Sequence, residues 1–197
     1  FLVLAYVLFT AIRDFRDNFA AEIWAELGYA GVSGIFTASE APVAAATLVI
    51  LASLVLVRDN VRALMMVHAI VMMGAALIGL STLAFQQGWL SPLGWMIVSG
   101  LGLYLGYAPF NAMLFDRLVA ATRRAGTAGF LIYVADASGY AGSVILMLLR
   151  YLPGVTLDWL HFFIWLAYAG AATCLVMATA SALYFRARLK TIDHRHS

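Results

Sequence analysis

Long apolar stretches alternate with short polar breaks along most of the chain. Residues 36–57, 64–85, 92–115, 127–149 and 159–185 are each apolar over about the 20 residues that a helix needs to cross a bilayer. Between them stand Arg58-Asp59-Asn60-Val61-Arg62, then Gln86-Gln87-Gly88 running to Pro92, then Arg123-Arg124-Ala125-Gly126, then Pro153-Gly154. Clustered charge, proline and glycine are what interrupt helices. The opening of the chain breaks this rhythm. FLVLAYVLFTAI carries no charge, and IRDFRDNFAAEIW then places two arginines, two aspartates and an asparagine within residues 13–18. A sixth span over 1–27 follows only if those charges lie at membrane depth.

At about 100° per residue, Arg16, Arg13, Asp17, Asp14 and Asn18 fall on one side of a helix, and Ile12, Phe15 and Phe19 on the other. Two readings compete. The bilayer ends near Ile12 and residues 13–24 lie flat at the interface, or the helix runs on to about residue 27 and the charges turn inward. Each central Arg or Asp costs about 2.5–3.5 kcal/mol in lipid, so four of them demand partner helices or a watery cavity. The second reading also leaves a short glycine-rich outer turn at 28–34 and is the one adopted. Arg13 with Asp17, and Asp14 with Asn18, are i,i+4 neighbours able to offset one another.

Composition narrows the class. The chain has 197 residues, 64% of them hydrophobic and 11% charged, with mean hydropathy +0.92. A soluble domain carries about 25% charge. An all-α polytopic integral membrane protein of six spans is expected, with residues 1–190 as its transmembrane domain and 191–197 as a polar cytoplasmic tail. A net charge of +2 argues against a nucleic-acid partner. The lone Cys174, within an apolar run, is expected to be a packing residue and excludes a cysteine framework. Because the chain opens in mid-hydrophobic sequence, it reads as a piece of a longer polypeptide.

Sidedness follows from the basic residues. With both ends on one side, the loops there hold Arg58, Arg62, Arg117, Arg123, Arg124, Arg186, Arg188, Lys190 and Arg195, and the opposite loops only Arg150. This nine-to-one asymmetry assigns both ends to the cytoplasm, in a bacterial inner membrane. Trp24, Tyr29, Trp89, Trp95, Tyr151 and Trp159 flank the outer boundaries as an aromatic belt.

Further polar residues interrupt the spans. Tyr133, Asp136, Tyr140 and Ser143 form a stripe at helical spacing, with Gly129, Gly139 and Gly142 as close-packing sites. Asp136 needs a partner, for which Arg13 or Arg16 is the natural candidate; it is either part of a structural Asp–Arg or Asp–Tyr clasp or a proton- or substrate-facing acid. In span 92–115, Pro109 is expected to kink the helix about a turn upstream, beside Tyr104, Tyr107 and Asn111. Glu40, just before Pro42, reads as a helix-start acid in preference to a transport residue. Arg58, Asp59, Arg62, Asp116 and Arg117 read as cytoplasmic gate or anchor residues. His68 is expected to be buried and hydrogen-bonded, and His161 has no second histidine with which to bind a metal. No metal or cofactor is implied, and H-E-x-x-H, G-x-S-x-G and P-loop signatures are absent, so an enzyme is not expected.

The whole chain resembles the C-terminal six-helix half of a major facilitator superfamily transporter. Val57-Arg58-Asp59-Asn60-Val61-Arg62 stands where that superfamily repeats its Gly-x-x-x-Asp-Arg-x-Gly-Arg loop, keeping the charge alternation at Asp59 and Arg62 without the glycines. RDFRDNFAAEIW, FTASE, GLGLYLGYAPFNAMLFDRL and FLIYVADASGYAGS are together similar to a bacterial family, of no assigned substrate, within or near that superfamily. The resemblance implies a missing N-terminal six-helix half as partner and alternating access as mechanism. Helix-face sorting then assigns roles. Arg13 and Arg16 are expected to attract an anionic group of a small solute, with Asp14, Asp17 and Asp136 balancing charge, one of them carrying a coupling proton. Asn18, Tyr104, Asn111, Tyr133 and Tyr140 complete the polar lining. The rival expectation is a membrane sensor or assembly scaffold in which the same charges form a rigid network.

Overall fold

The computed structural model describes residues 1–122, 127–150, 152 and 158–193. Their regular structure is helical, without a strand: α1 Leu2–Asn18, α2 Ala20–Glu26, α3 Ile35–Val55, α4 Asn60–Gln86, α5 Pro92–Pro109, a π-helical turn Phe110–Leu114, α6 Phe115–Thr122, α7 Ala128–Arg150 and α8 Trp159–Asp193. Local chemistry sets several boundaries. Asp59 Oδ1 accepts from the Arg62 amide at 2.7 Å and caps α4. Ser91 Oγ accepts from the Gly94 amide at 3.1 Å and caps α5, whose first turn begins with Pro92. The turn before α3 places Gly28, Gly31 and Gly34 at positive φ, a conformation that side chains with a Cβ disfavour.

Five helices among the described residues are long and apolar enough to cross a membrane: Ile35–Val55, Asn60–Gln86, Pro92–Ala121, Ala128–Leu149 and Trp159–Arg188. The protein is therefore an integral membrane protein built of apolar helices. The opening segment is not among the five. α1 has 17 residues and is interrupted at Phe19 (φ −111°, ψ 22°), where no proline or glycine stands. The Phe19 ring is stacked on Trp159 at 4.3 Å, which ties the interruption to the start of α8.

Some expected boundaries shift. α4 begins at Asn60 rather than 64, and α8 continues through Asp193, past the expected end at 185 and into the tail assigned to 191–197. The breaks at 123–126 and at Pro153-Gly154, Tyr151 of the belt, and residues 194–197 lie outside the described residues. A π-helical turn, Phe110–Leu114, follows Pro109. Proline cannot donate to the carbonyl four residues back, and a local shift to the wider π spacing absorbs that gap.

α1 occupies the middle of the bundle, packed against α5, α7 and α8, while α5 packs on α3 and α4, and α4 on α8. Glycine makes this possible. A Cβ on Gly106 of α5 would stand 2.0 Å from Phe9 Cε1, one on Gly142 of α7 2.5 Å from Val7 Cγ1, and one on Gly170 of α8 2.1 Å from Ile12 Cδ1. Each neighbour thus yields its side-chain volume to a residue of α1, the small-residue packing that holds helices together where no hydrophobic effect operates between them. Beyond Ile12, Phe15 of α1 joins Phe162 and Phe163 of α8, with ring centroids 5.0 and 6.5 Å away. The apolar side of α1 therefore faces α8, and its charged side faces α3, α5 and α7.

Candidate functional site

The polar side chains of α1 meet the rest of the bundle in three tiers. Their heights can be read along Pro92–Ala121, a helical run of 30 residues, or about 45 Å. In the first tier, the Arg16 guanidinium rests on Gly100, about 12 Å from Pro92, where a Cβ would come within 2.8 Å of Nη2. Arg16 is only 1% exposed. Its Nη2 donates to Glu40 Oε1 at 2.6 Å and to the Met96 carbonyl at 3.1 Å, and Nη1 donates to Asp17 Oδ1 at 3.1 Å. Nε is buried without a partner. Tyr104 donates to Asp17 Oδ2 at 3.5 Å, and Ser39 donates to Glu40 Oε1 at 3.3 Å.

The second tier lies level with Tyr107, about 22 Å from Pro92 and so near the middle of the run. Arg13 is paired with Asp14, and its guanidinium carbon stands 4.1 Å from the Tyr107 ring centroid. Ser143 of α7 donates to Asp14 Oδ2 at 2.6 Å. Asn18, at the end of α1, donates to the Asp14 carbonyl at 2.8 Å.

The third tier lies toward the other end, about 28 Å from Pro92. Tyr6 donates to Asp136 Oδ1, and Asn111 Nδ2 donates to the Tyr6 hydroxyl at 3.0 Å and to Asp136 Oδ1 at 3.2 Å. Asn111 sits in the π-helical turn, and its Oδ1 is buried without a partner. Tyr6 stacks on Tyr107 at 5.4 Å, joining this tier to the second.

These contacts redraw several expected pairings. Asp136 is held by Tyr6 and Asn111 rather than by Arg13 or Arg16, because α7 brings Asp136 beside the early turns of α1 and Ser143 beside the arginines. Arg13 pairs with Asp14 and Arg16 with Asp17, at i,i+1 instead of i,i+4. Both guanidiniums are thus already matched by carboxylates, which removes the free positive charge expected to attract an anion. Glu40 is no helix-start cap: α3 begins at Ile35, and Glu40 reaches across to Arg16. Tyr133 and Tyr140 do not join Asp136; at 79% and 65% exposure they stand on the outer surface of α7. His68 is buried as expected, with its ring nitrogens 2.8 Å from the Leu64 carbonyl and 3.0 Å from Ser181 Oγ. Cys174 is buried.

The expected gate residues divide. Asp59 caps α4, Arg58, Arg62 and Asp116 are exposed, and Arg117 Nη1 donates to Asn60 Oδ1 at 2.7 Å, clamping α6 to the start of α4. Sequence reasoning missed Tyr6 as a member of the polar spine and preferred a capping role for Glu40. The one available signal for Glu40 was its place in an apolar span; for Tyr6 there was none.

A cavity of about 350 Å³ opens beside the first tier, lined by Arg16, Asp17, Ala20, Phe36, Glu40, Val43, Ala44 and Tyr104. Among the described residues no three His, Cys, Asp or Glu side chains are grouped to hold a metal ion. Apolar helices wrapped around a charged central helix define the class: a polytopic membrane protein with a polar spine inside it. Residues 1–188 match the model of the Family of unknown function (DUF5690), and the chain belongs to that family. No curated protein and no solved structure matches it.

Proposed function

We propose that the chain is the C-terminal six-helix half of a secondary transporter of the major facilitator type, which moves a small solute by alternating access. The observation that carries this reading is the cavity lined by Arg16, Asp17, Glu40 and Tyr104, at the first of the polar tiers along α1. Ionisable groups inside a membrane bundle are costly, and where they line a cavity they mark a solute or ion path. α1 and α2 together span residues 2–26, about 37 Å if nearly collinear, which is long enough for a sixth crossing. The nine-to-one distribution of basic residues then orients both ends toward the cytoplasm of a bacterial inner membrane. The partner is an N-terminal half of the same polypeptide, against which these helices rock. The glycine-lined seat of α1 leaves its polar residues facing α3, α5 and α7, as a cavity-lining helix requires.

A second reading, a static scaffold, draws on the same tiers, since both arginines already have carboxylate partners. Sidedness of access separates the two. Tyr104→Cys, in a Cys174→Ala background of the full-length polypeptide, is exposed to a membrane-impermeant maleimide in right-side-out and inside-out vesicles. Alternating access predicts labelling from both sides. A scaffold predicts labelling from one side or neither, and that result would remove the transporter reading.

A further inference from the structure

We infer that the cavity beside Arg16 takes a small organic monocation, such as an alkylammonium group, and not an anion. The inference rests on the reading of this cavity as the solute site. Its argument begins with charge. The ionisable carboxylate and guanidinium groups lining the cavity are Arg16, Asp17 and Glu40, one positive and two negative, for a formal charge of −1. Beyond the lining, Arg13 is paired with Asp14.

Exposure sharpens the asymmetry. The Arg16 side chain is 1% exposed, whereas those of Asp17 and Glu40 are 39% and 41% exposed. The face offered to a ligand is therefore carboxylate oxygen, with the guanidinium packed behind it on Gly100. An anion entering here meets two acidic side chains before it meets the arginine.

The lining is also not closed upon itself. Glu40 commits Oε1 to Arg16 and Ser39, while its second oxygen has no partner among the described residues. Arg16, a buried lining residue, keeps Nε without a partner.

The remaining walls set the ligand class. Ala20, Phe36, Val43 and Ala44 are apolar, and Phe36 and Tyr104 bring aromatic rings to the rim. Apolar surface with aromatic rings and a surplus carboxylate suits a cation that carries its own hydrocarbon, since such a group gains from cation–π and dispersion contacts and is weakly hydrated. A small inorganic cation would lose its hydration shell to walls that offer little oxygen, and no three-ligand metal cluster exists among the described residues.

The test uses the purified full-length protein with two probes of similar shape, tetramethylammonium and pivalate, at constant ionic strength. Thermal unfolding is followed as each is titrated. The expected result is saturable stabilisation by tetramethylammonium and none by pivalate. Glu40→Gln is expected to weaken the cation's apparent affinity roughly tenfold, the scale of one partly shielded charge contact. Asp17→Asn, which leaves the Glu40–Arg16 pair in place, is expected to do the same and guards against a folding defect in the first variant. Stabilisation by pivalate, silence from both probes, or equal cation binding in both variants overturns the inference. Vesicle labelling at Tyr104→Cys keeps the two ideas separable. Two-sided labelling without cation binding sinks the ligand class and spares transport; cation binding with one-sided labelling does the reverse.

Discussion

Replacing Gly106 by alanine tests the seat of α1 with a single methyl group. The new Cβ would lie 2.0, 2.3 and 2.4 Å from three carbons of the Phe9 ring. That ring is 1% exposed and packed within the core, so it has nowhere to retreat. Overpacking of this kind costs about 1–3 kcal/mol, and a clash with a whole ring edge belongs at the upper end. Alanine recovers about 1 kcal/mol of helix propensity over glycine, leaving a net loss of about 2 kcal/mol. Phe9→Leu vacates part of the space and should rescue the alanine variant, with a favourable coupling of about 1 kcal/mol or more. Thermal melts of Gly106→Ala, Phe9→Leu and the double variant, purified in detergent, measure both quantities. If the alanine variant melts like wild type, or the two losses simply add to within about 0.5 kcal/mol, Phe9 does not touch Gly106 and α1 is not held in the bundle as described.

Two further expectations concern charge. Breaking a fully buried pair by removing one partner costs about 3–5 kcal/mol, but Glu40 is 41% exposed and Arg16 keeps Asp17 and the Met96 carbonyl. A double-mutant cycle of Arg16→Met and Glu40→Gln, read by melting, should therefore give a coupling of about 1–2 kcal/mol; a value near zero would show the contact to be incidental. At the start of α8, the His161 backbone amide donates to Asp158 Oδ1 at 2.7 Å and, with the nearby His161 ring, holds that carboxyl below the usual carboxylate range. A depressed folded pKa means that the contribution is present above the unfolded value near 3.9 and fades as pH falls through the folded one. Melting temperature followed from pH 6 to pH 3 should thus fall less steeply for Asp158→Asn than for wild type; identical slopes would remove the cap from the account.

Apolar length and polar punctuation made the five long helices legible, because both are properties of one helix at a time. The sorting of Arg13, Asp14, Arg16 and Asp17 away from Ile12 and Phe15 was legible for the same reason, and it matches the packing of α1 between α8 and its other neighbours. Partner choice was not. Whether Asp136 meets an arginine or Tyr6 depends on how far α7 slides along α1: Arg13 lies seven residues beyond Tyr6, so a shift of about two turns, roughly 10 Å, exchanges the two. Glu40 was misread because its neighbour Pro42 suggests a helix start, whereas α3 begins at Ile35 and carries the proline inside it. The break at Phe19 has no proline or glycine to announce it and arises where α1 meets the aromatic start of α8. Tyr133 and Tyr140 fall near Asp136 by helical spacing, but on α7 the two tyrosines turn outward while Asp136 and Ser143 reach α1.

The most direct test of the polar spine is the depth and wetness of position 17. A nitroxide on Asp17→Cys, in a Cys174→Ala background of the protein in liposomes, is probed with oxygen and a water-soluble nickel chelate. The account predicts a label roughly 10 Å or more below the phosphates, from the offset of Gly100 along its helix, that the chelate nevertheless reaches through the cavity. A label at headgroup level would mean that the charged turn of α1 lies on the membrane surface, contrary to the account.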